Sequence, residues 1–326
     1  MKKDGISVIV CCYNSSLRLL PTLTHLAKQK TTIPFEVIVV DNASNDDTFL
    51  NAQIMSSIFK SSVSFKVIKE LQQGLSYARN KGIKEAAYEY IVFCDDDNWL
   101  EENYIQIAHD FLFNNPNYAA IGGKSEAVFE DGKIPPTWFK ALEASYAVGV
   151  QGVEGNITSK GYLWGAGISL RKSLYVKVIN NDFPLLLTGR KGTNLSSGED
   201  TEFCLRCVLL GYEVYYTSKL QLQHFISSSR LSRDYSIKLL DGMKNTTEVL
   251  SKYFFYINVR KSNNNFKHKF RLLLKYLLYL LNIRKLTPVD IKLIYSLTPY
   301  KLNTYDEGFQ FIRKLGELSI SNSTKF

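Results

Sequence analysis

The chain has 326 residues, 45% apolar and 22% charged, with 19 glycines and 8 prolines, which excludes a collagen-like, low-complexity or globally disordered protein. Its formal charge is +9, but residues 1–226 hold 22 Lys and Arg against 24 Asp and Glu, whereas residues 227–326 hold 18 against 7. A near-neutral front part followed by a basic tail argues for a catalytic or binding domain with a charged attachment, not for nucleic acid as a partner.

Ile6–Cys12 is a continuous apolar, largely β-branched run, the pattern of a strand covered on both faces. After the turn at Tyr13-Asn14-Ser15-Ser16, Leu17, Leu19, Leu20, Leu23, Leu26 and Ala27 recur at helical spacing. Phe35–Val40 is a second buried strand, a helix opens at Asp46-Asp47-Thr48, and Phe65–Ile68 is a third strand. Leu75–Ala87 is a helix and Tyr90–Cys94 a fourth strand. Strands alternating with helices over short loops predict a parallel, doubly covered sheet. Ligands of such sheets sit beyond the carboxyl ends of the strands. Here those ends read Cys12-Tyr13-Asn14, Asp41-Asn42 and Asp95-Asp96-Asp97-Asn98. The sequence contains neither G-x-G-x-x-G after the first strand nor a G-x-x-x-x-G-K-[ST] loop, so the dinucleotide and P-loop versions of this architecture are set aside.

The middle of the chain is less regular. Phe129–Trp138, with Gly132, Pro135 and Pro136, reads as a loop, and Gly149–Gly167 is glycine-rich with Tyr162 and Trp164. Ile168–Leu170 is a short strand leading to a helix near Ser173, and Asp182–Gly198 is a long loop suited to a mobile lid. Glu199-Asp200-Thr201-Glu202 opens a helix that Gly211 stops, and Val214–Thr217 is a strand followed by His224 and Arg230. The five cysteines are odd in number and lie in apolar or helical runs, as small hydrophobes in a reducing compartment do. Met1-Lys-Lys-Asp-Gly leads directly into a strand, without the apolar stretch of a secretory signal.

Three adjacent carboxylates, Asp95, Asp96 and Asp97, repel one another at a strand's end unless positive charge sits among them. A hard divalent cation sharing its shell with phosphate oxygens supplies that charge; the plainer alternative is a capping box from Asn98 to Glu101. Asp41-Asn42 lies at the same sheet edge, although both residues are ordinary turn formers. Arg79 stands near the start of its helix beside that edge, poised for a diphosphate or for an ion pair. Glu199-Asp200 is a second acidic pair, readable as a general base for a hydroxyl or as helix-dipole complementarity.

Ile6–Asn14, Val40-Asp41-Asn42-Ala43-Ser44, Ala78-Arg79-Asn80-Lys81-Gly82, Phe93–Asn98 and Gly198-Glu199-Asp200 stand in the order seen in family 2 glycosyltransferases, and residues 5–235 resemble that family. The resemblance implies an α/β fold of GT-A type, a Rossmann-like mostly parallel sheet flanked by helices, with a basic helical C-terminal extension. It implies an inverting transfer of a sugar from a nucleotide-sugar donor, a UDP-sugar, to a saccharide or polyprenyl-linked acceptor in bacterial surface polysaccharide synthesis, with Mg²⁺ or Mn²⁺ as cofactor. Residues 1–240 would be the catalytic domain, with a nucleotide-sugar half at about 1–100 and an acceptor half at about 101–240. Residues 241–326 would be the basic helical region. Cys12, Tyr13, Asn14, Asp41, Asn42, Arg79, Asp95 and Asp96 would bind the nucleotide. Asp97 and His224 would bind the metal, His224 being readable equally as a core residue. Trp164, Gly165, Ala166 and Gly167 would line the donor-sugar and acceptor region. Asp200 would be the catalytic base, with Glu199 the other candidate. The first strand ends in Cys11-Cys12 where the family often has Pro followed by a hydroxyl residue. A sugar-nucleotide nucleotidyltransferase and an inactive binding scaffold are the rival readings; the first lacks a glycine-rich phosphate loop, the second does not need an intact acid pair.

The tail segment 266–285 (FKHKFRLLLKYLLYLLNIRK) has an apolar centre far short of the roughly 20 residues needed to span a bilayer. Its flanking lysines and arginines suit a helix lying on an anionic membrane surface, or an amphipathic helix packed on protein. The protein is therefore expected in the cytoplasm, peripheral on the inner face of the membrane.

Overall fold

The structure is a computed structural model and describes residues 3–192, 195–263 and Leu315. The elements in chain order are β1 (Ile6–Cys12), α1 (Leu19–Ala27), β2 (Phe35–Asn42), α2 (Thr48–Met55), β3 (Ser64–Glu70), α3 (Leu75–Glu85), β4 (Tyr90–Asp95), β5 (Asn98–Leu100), α4 (Tyr104–Asn114), β6 (Tyr118–Phe129), α5 (Phe139–Leu142), β7 (Gly155–Asn156), β8 (Ser169–Arg171), α6 (Lys172–Val178), α7 (Glu199–Leu209), β9 (Glu213–Ile226) and α8 (Arg233–Asn263). Residues 1–208 with 212–246 form one compact unit, which contains the site described below, and 209–211 with 247–326 form another. Helix α8 continues past Leu240 without a break. The 266–285 segment lies outside the described residues.

The strands make one sheet in the order β3-β2-β1-β4-β8-β6-β9-β5, with β7 paired to β9. The first four elements of that order are parallel, as the alternation of strand and helix predicts. Beyond β4 the sheet is mixed: β8 runs antiparallel to both β4 and β6, while β6 and β9 are parallel to each other. Burial on both faces follows the period-2 pattern of β1. Ile6, Val8 and Val10 pack with Leu19, Leu23 and Leu26 of α1, and with Tyr104, Ile105 and Ala108 of α4. On the opposite face α3 comes so close that a Cβ on Gly82 would collide with the side chain of Ile9.

One strand runs longer than the sequence suggests, and its partner β6 is not read there as a strand at all. β9 covers 14 residues, and its second half buries Leu220, Leu222, His224 and Ile226 in alternation with the more exposed Gln221, Gln223 and Phe225. Its partner β6 runs beside it with a register shift between Gly122 and Lys124, where Gly123 leaves no space for a Cβ against the Leu220 backbone. The capping box from Asn98 to Glu101, the plainer alternative, does not form. Asn98–Leu100 continues as a strand paired with β9, and α4 begins only at Tyr104.

Candidate active site

The carboxyl ends of β2, β1 and β4 lie side by side, with Cys12 in register with Asp41 and Cys11 with Asp95. Asn14 and Ala43, just beyond β1 and β2, both take left-handed backbone conformations, with φ of 50° and 57°. The two turns are bound together: the Asn14 amide donates to Ser44 Oγ at 3.0 Å, and the Asn45 amide to Asn14 Oδ1 at 2.8 Å. Asp41 is buried and accepts the Ser44 amide at 3.2 Å. Tyr13 is half-buried and Asn14 exposed, so this paired turn presents polar groups to solvent at the sheet edge. Asn42 serves the scaffold: its Nδ2 donates to the Gln72 carbonyl at 2.7 Å and its Oδ1 accepts the Gly74 amide at 2.7 Å, which fixes the entry to α3. Cys12 is packed in the core, and burial pushes the thiol of its neighbour Cys11 up to about 12.

Each acid of the Asp95–Asp97 triplet lies near an arginine. Asp96 Oδ2 accepts from Arg18 Nη2 at 2.8 Å and from the Ser15 hydroxyl. Asp97 Oδ2 accepts from Arg230 Nη1 at 2.8 Å, and its Oδ1 lies 3.4 Å from His224 Nε2. Asp95 lies in the field of Arg79. Asn98 closes the turn from inside, accepting the Asp95 amide at 3.3 Å and donating to Asp97 Oδ1 at 3.1 Å. Burial raises the affinity of all three carboxyls for a proton. At Asp97 it is outweighed by His224 and Arg230, which hold that group well below the usual carboxylate range. At Asp95 and Asp96 burial prevails over Arg79 and Arg18, and both are pushed up.

Arg230 reaches Asp97 because a small aromatic core holds its backbone. Phe139, Tyr146, Val148, Ile226 and Leu239 pack together, with Trp138, Leu231 and Tyr235 against them. The Tyr146 hydroxyl donates to the Arg230 carbonyl at 2.9 Å, and Arg230 Nε donates to the Tyr235 hydroxyl at 3.1 Å.

The second acidic pair opens α7. Glu199 is buried and paired with the equally buried Arg79, Nη1 to Oε1 at 3.1 Å, while the Arg79 guanidinium lies 4.8 Å from the centre of the Phe93 ring. Burial pushes the Glu199 carboxyl up to about 7; Arg79 pulls against that and the like charge of Asp200 adds to it. Asp200 is only half-buried, with Oδ1 accepting the Thr201 amide at 2.7 Å. It lines a narrow cleft with Ser76, Arg79, Phe93, Ile168 and Tyr175. Gly165 closes on both groups: a Cβ there would stand 2.6 Å from Arg79 Nη2 and 2.9 Å from Asp200 Oδ2.

Among the described residues, no three His, Cys, Asp or Glu side chains converge into a metal-holding group of their own. Asp97 and His224 nevertheless fit a cation shared with a substrate. Their facing donors, 3.4 Å apart, are near the spacing of about 3 Å between adjacent ligands of an octahedral ion with bonds near 2.1 Å. One oxygen and one imidazole nitrogen leave the remaining positions for phosphate oxygens and water. His224 Nδ1 is buried without a hydrogen-bond partner, so the ring is positioned by its place on β9.

Residues 7–157 match the profile of glycosyl transferase family 2. The chain carries a glycosyl transferase family 2 domain. A poly(ribitol-phosphate) beta-N-acetylglucosaminyltransferase, TarP of Staphylococcus aureus (strain N315), is 31% identical over 41% of this chain and 43% of its own length. A glucosyl-dolichyl phosphate glucuronosyltransferase of Haloferax volcanii is 24% identical over 71% of this chain and 72% of its own. The crystal structure of S. aureus TarS superposes with a TM-score of 0.50 at 18% identity, covering 98% of this chain and 54% of that one, a likeness of fold. The chain spans only 17% to 43% of the length of five curated relatives that it matches.

The fold brings together Cys12, Tyr13, Asn14 and Asp41 at one edge. Asp95, Asp96, Asp97 and His224 gather beside them, with Arg79, Gly165, Glu199 and Asp200 in the cleft. Ala166 and Gly167 face inward: Ala166 belongs to the main core, and Gly167 is packed against Tyr104, whose hydroxyl donates to the Gly167 carbonyl at 2.7 Å. Trp164 is half-buried, its amide donating to Gln151 Oε1 at 2.6 Å. Sequence reasoning missed Ser15 and Arg18 as partners of Asp96, and Arg230 as the partner of Asp97. Only the position of Arg230 after His224 hinted at a role.

Proposed function

We propose that the chain is an inverting glycosyltransferase that moves a sugar from a nucleoside-diphosphate donor, a UDP-sugar, to a hydroxyl of a saccharide acceptor. The observation that carries this reading is that two acidic clusters of opposite character meet at Arg79. The Asp95–Asp97 triplet is laced with cations beside the paired turns of β1 and β2, and Asp200, in the cleft on the other side, makes no ion pair among the described residues. The nucleoside belongs on Cys12, Tyr13, Asn14 and Asp41, with Asp96 toward the ribose and Asp97 toward the diphosphate. Asp97 and His224 are the residues to hold Mg²⁺ or Mn²⁺, which supplies positive charge against the leaving diphosphate.

Asp200 is the general base. It takes the proton of the acceptor hydroxyl as that oxygen bonds to the anomeric carbon, while the bond from that carbon to the diphosphate oxygen breaks on the opposite face. Glu199, buried and committed to Arg79, orients the cleft and leaves the proton transfer to Asp200. The acceptor is polyprenyl-linked, in surface polysaccharide synthesis at the inner face of the cytoplasmic membrane. The Haloferax relative named for a glucosyl-dolichyl phosphate and the basic composition of 266–285 support this. Among the described residues no helix is long and apolar enough to cross a membrane. The test is a panel of nucleotide sugars offered with and without Mn²⁺, with release of nucleoside diphosphate as the readout. One donor is expected to turn over, faster with the metal. No release from any donor, with or without a saccharide or polyprenyl acceptor, would refute the reading.

A further inference from the structure

Between α6 and α7, residues 183–190 are tied down at several points. Glu202 and Arg206, one turn apart on α7, are both fully buried and paired at 2.7 Å. Glu202 accepts the amides of Leu186 and Leu187 at 3.0 and 2.8 Å, and Arg206 donates to the carbonyls of Phe183 and Pro184 at 2.7 and 2.6 Å. Further on, the first amides of α3 donate into the same segment, Leu75 to the Arg190 carbonyl at 3.0 Å and Ser76 to the Thr188 carbonyl at 3.4 Å. Between these anchors Gly189, with φ of 70°, lies against the Glu199 carboxylate, where a Cβ would stand 2.8 Å from its carboxyl carbon. The segment is therefore a strap joining the helix that carries Arg79 to the helix that carries Asp200.

Two consequences bear on where an anion binds. The N-terminal amides of α3 are already occupied by strap carbonyls, so that helix end is not open to phosphate. The other arginines around the site are also committed: Arg18 to Asp96 at 2.8 Å, Arg79 to Glu199 at 3.1 Å and Arg230 to Asp97 at 2.8 Å. Arg190 differs from these three. It is exposed, its guanidinium makes no hydrogen bond or ion pair among the described residues, and its carbonyl is held by the Leu75 amide at the start of α3, beside the cleft-lining Ser76. Its charge reaches both Asp95 and Asp97. A diphosphate entering beside three carboxylates needs a cation that is not already neutralised, and a guanidinium matches phosphate oxygens two at a time.

We infer that Arg190 is a donor-binding residue that clamps the diphosphate of the nucleotide sugar from the strap. This rests on the nucleotide-sugar reading above. The test is calorimetry on the full chain with Mn²⁺, using the tightest-binding of UDP, GDP, CDP, ADP and dTDP and its matching free nucleoside. Arg190→Gln is expected to weaken the diphosphate by threefold or more, and by about tenfold if both phosphates are gripped, while nucleoside affinity stays at the wild-type value. Arg190→Lys is expected to lose less, since it keeps the charge. A loss below threefold in Arg190→Gln, or an equal loss for nucleoside and diphosphate, would overturn the assignment. A wild-type chain that binds none of the five diphosphates would instead overturn the donor reading on which it depends.

Discussion

The acids at the end of β4 and the acids at the start of α7 both lie against arginines, yet Asp97 and Glu199 meet opposite treatment of their charge. Asp97 has Arg230 at 2.8 Å and His224 at 3.4 Å, and its carboxyl is held ionised well below the usual range. Glu199 has the single cation Arg79 at 3.1 Å, shared with Asp95 and Asp200, and burial drives its carboxyl to about 7. In the first cluster the charge is held at Asp97, while burial pushes its neighbours Asp95 and Asp96 up. The second sits near its titration point, next to a half-exposed Asp200. That contrast is what one reaction with two duties requires: fixed charge where a diphosphate departs, and an accessible base where a hydroxyl arrives.

Removing the accessible base breaks the contrast most severely. Asp200→Asn is expected to lower transfer by roughly 10² to 10⁴ with donor affinity unchanged; steady-state rates beside a binding isotherm decide this. Asp97→Asn attacks the fixed charge. Nucleoside-diphosphate affinity in Mn²⁺ should fall by about tenfold or more and lose its dependence on the metal, as titrations with and without Mn²⁺ would show. Gly165→Ala pushes a methyl between Arg79 and Asp200. It should cost about 1–3 kcal/mol of stability in a denaturant melt and impair transfer more than binding.

The smallest effect is a pH slope. Because the folded Glu199 binds its proton more tightly than an unfolded glutamate with its ordinary value of 4.5, its contribution is fully present below that value. It is lost as pH rises through about 7. Glu199→Gln should therefore remove a downward slope of stability between about pH 4.5 and 7. Thermal melts across that window would show the two chains drifting apart, and parallel curves would place the titration elsewhere.

Much of this was readable before the structure. Continuous apolar runs announce doubly covered strands, and a parallel sheet puts functional residues at the carboxyl ends, so Asp41, Asp95–Asp97 and Asn14 fell where expected. The partners of those acids were not readable. Arg18 and Asp96 are 78 positions apart, and Arg230 and Asp97 are 133 apart. Such contacts are set by sheet order and by an aromatic cluster far along the chain, neither of which leaves a local pattern. At Asn98 the side chain has two uses: it can cap a helix, and here it closes the acid turn instead while its backbone joins β9. β9 was read as four residues because Ser218 and Lys219 interrupt its apolar run. The alternation of Leu220, Leu222, His224 and Ile226 that follows is the signal of a strand with one wet face.

The division of duty between the two clusters is tested most directly by measuring donor affinity and transfer rate in the same preparations of Asp97→Asn and Asp200→Asn, with Mn²⁺ present and absent. The account predicts that Asp97→Asn loses metal-stimulated donor binding, whereas Asp200→Asn binds donor as the wild type does and fails only in transfer. Equal loss of binding in both variants, or wild-type transfer by Asp200→Asn, would contradict it.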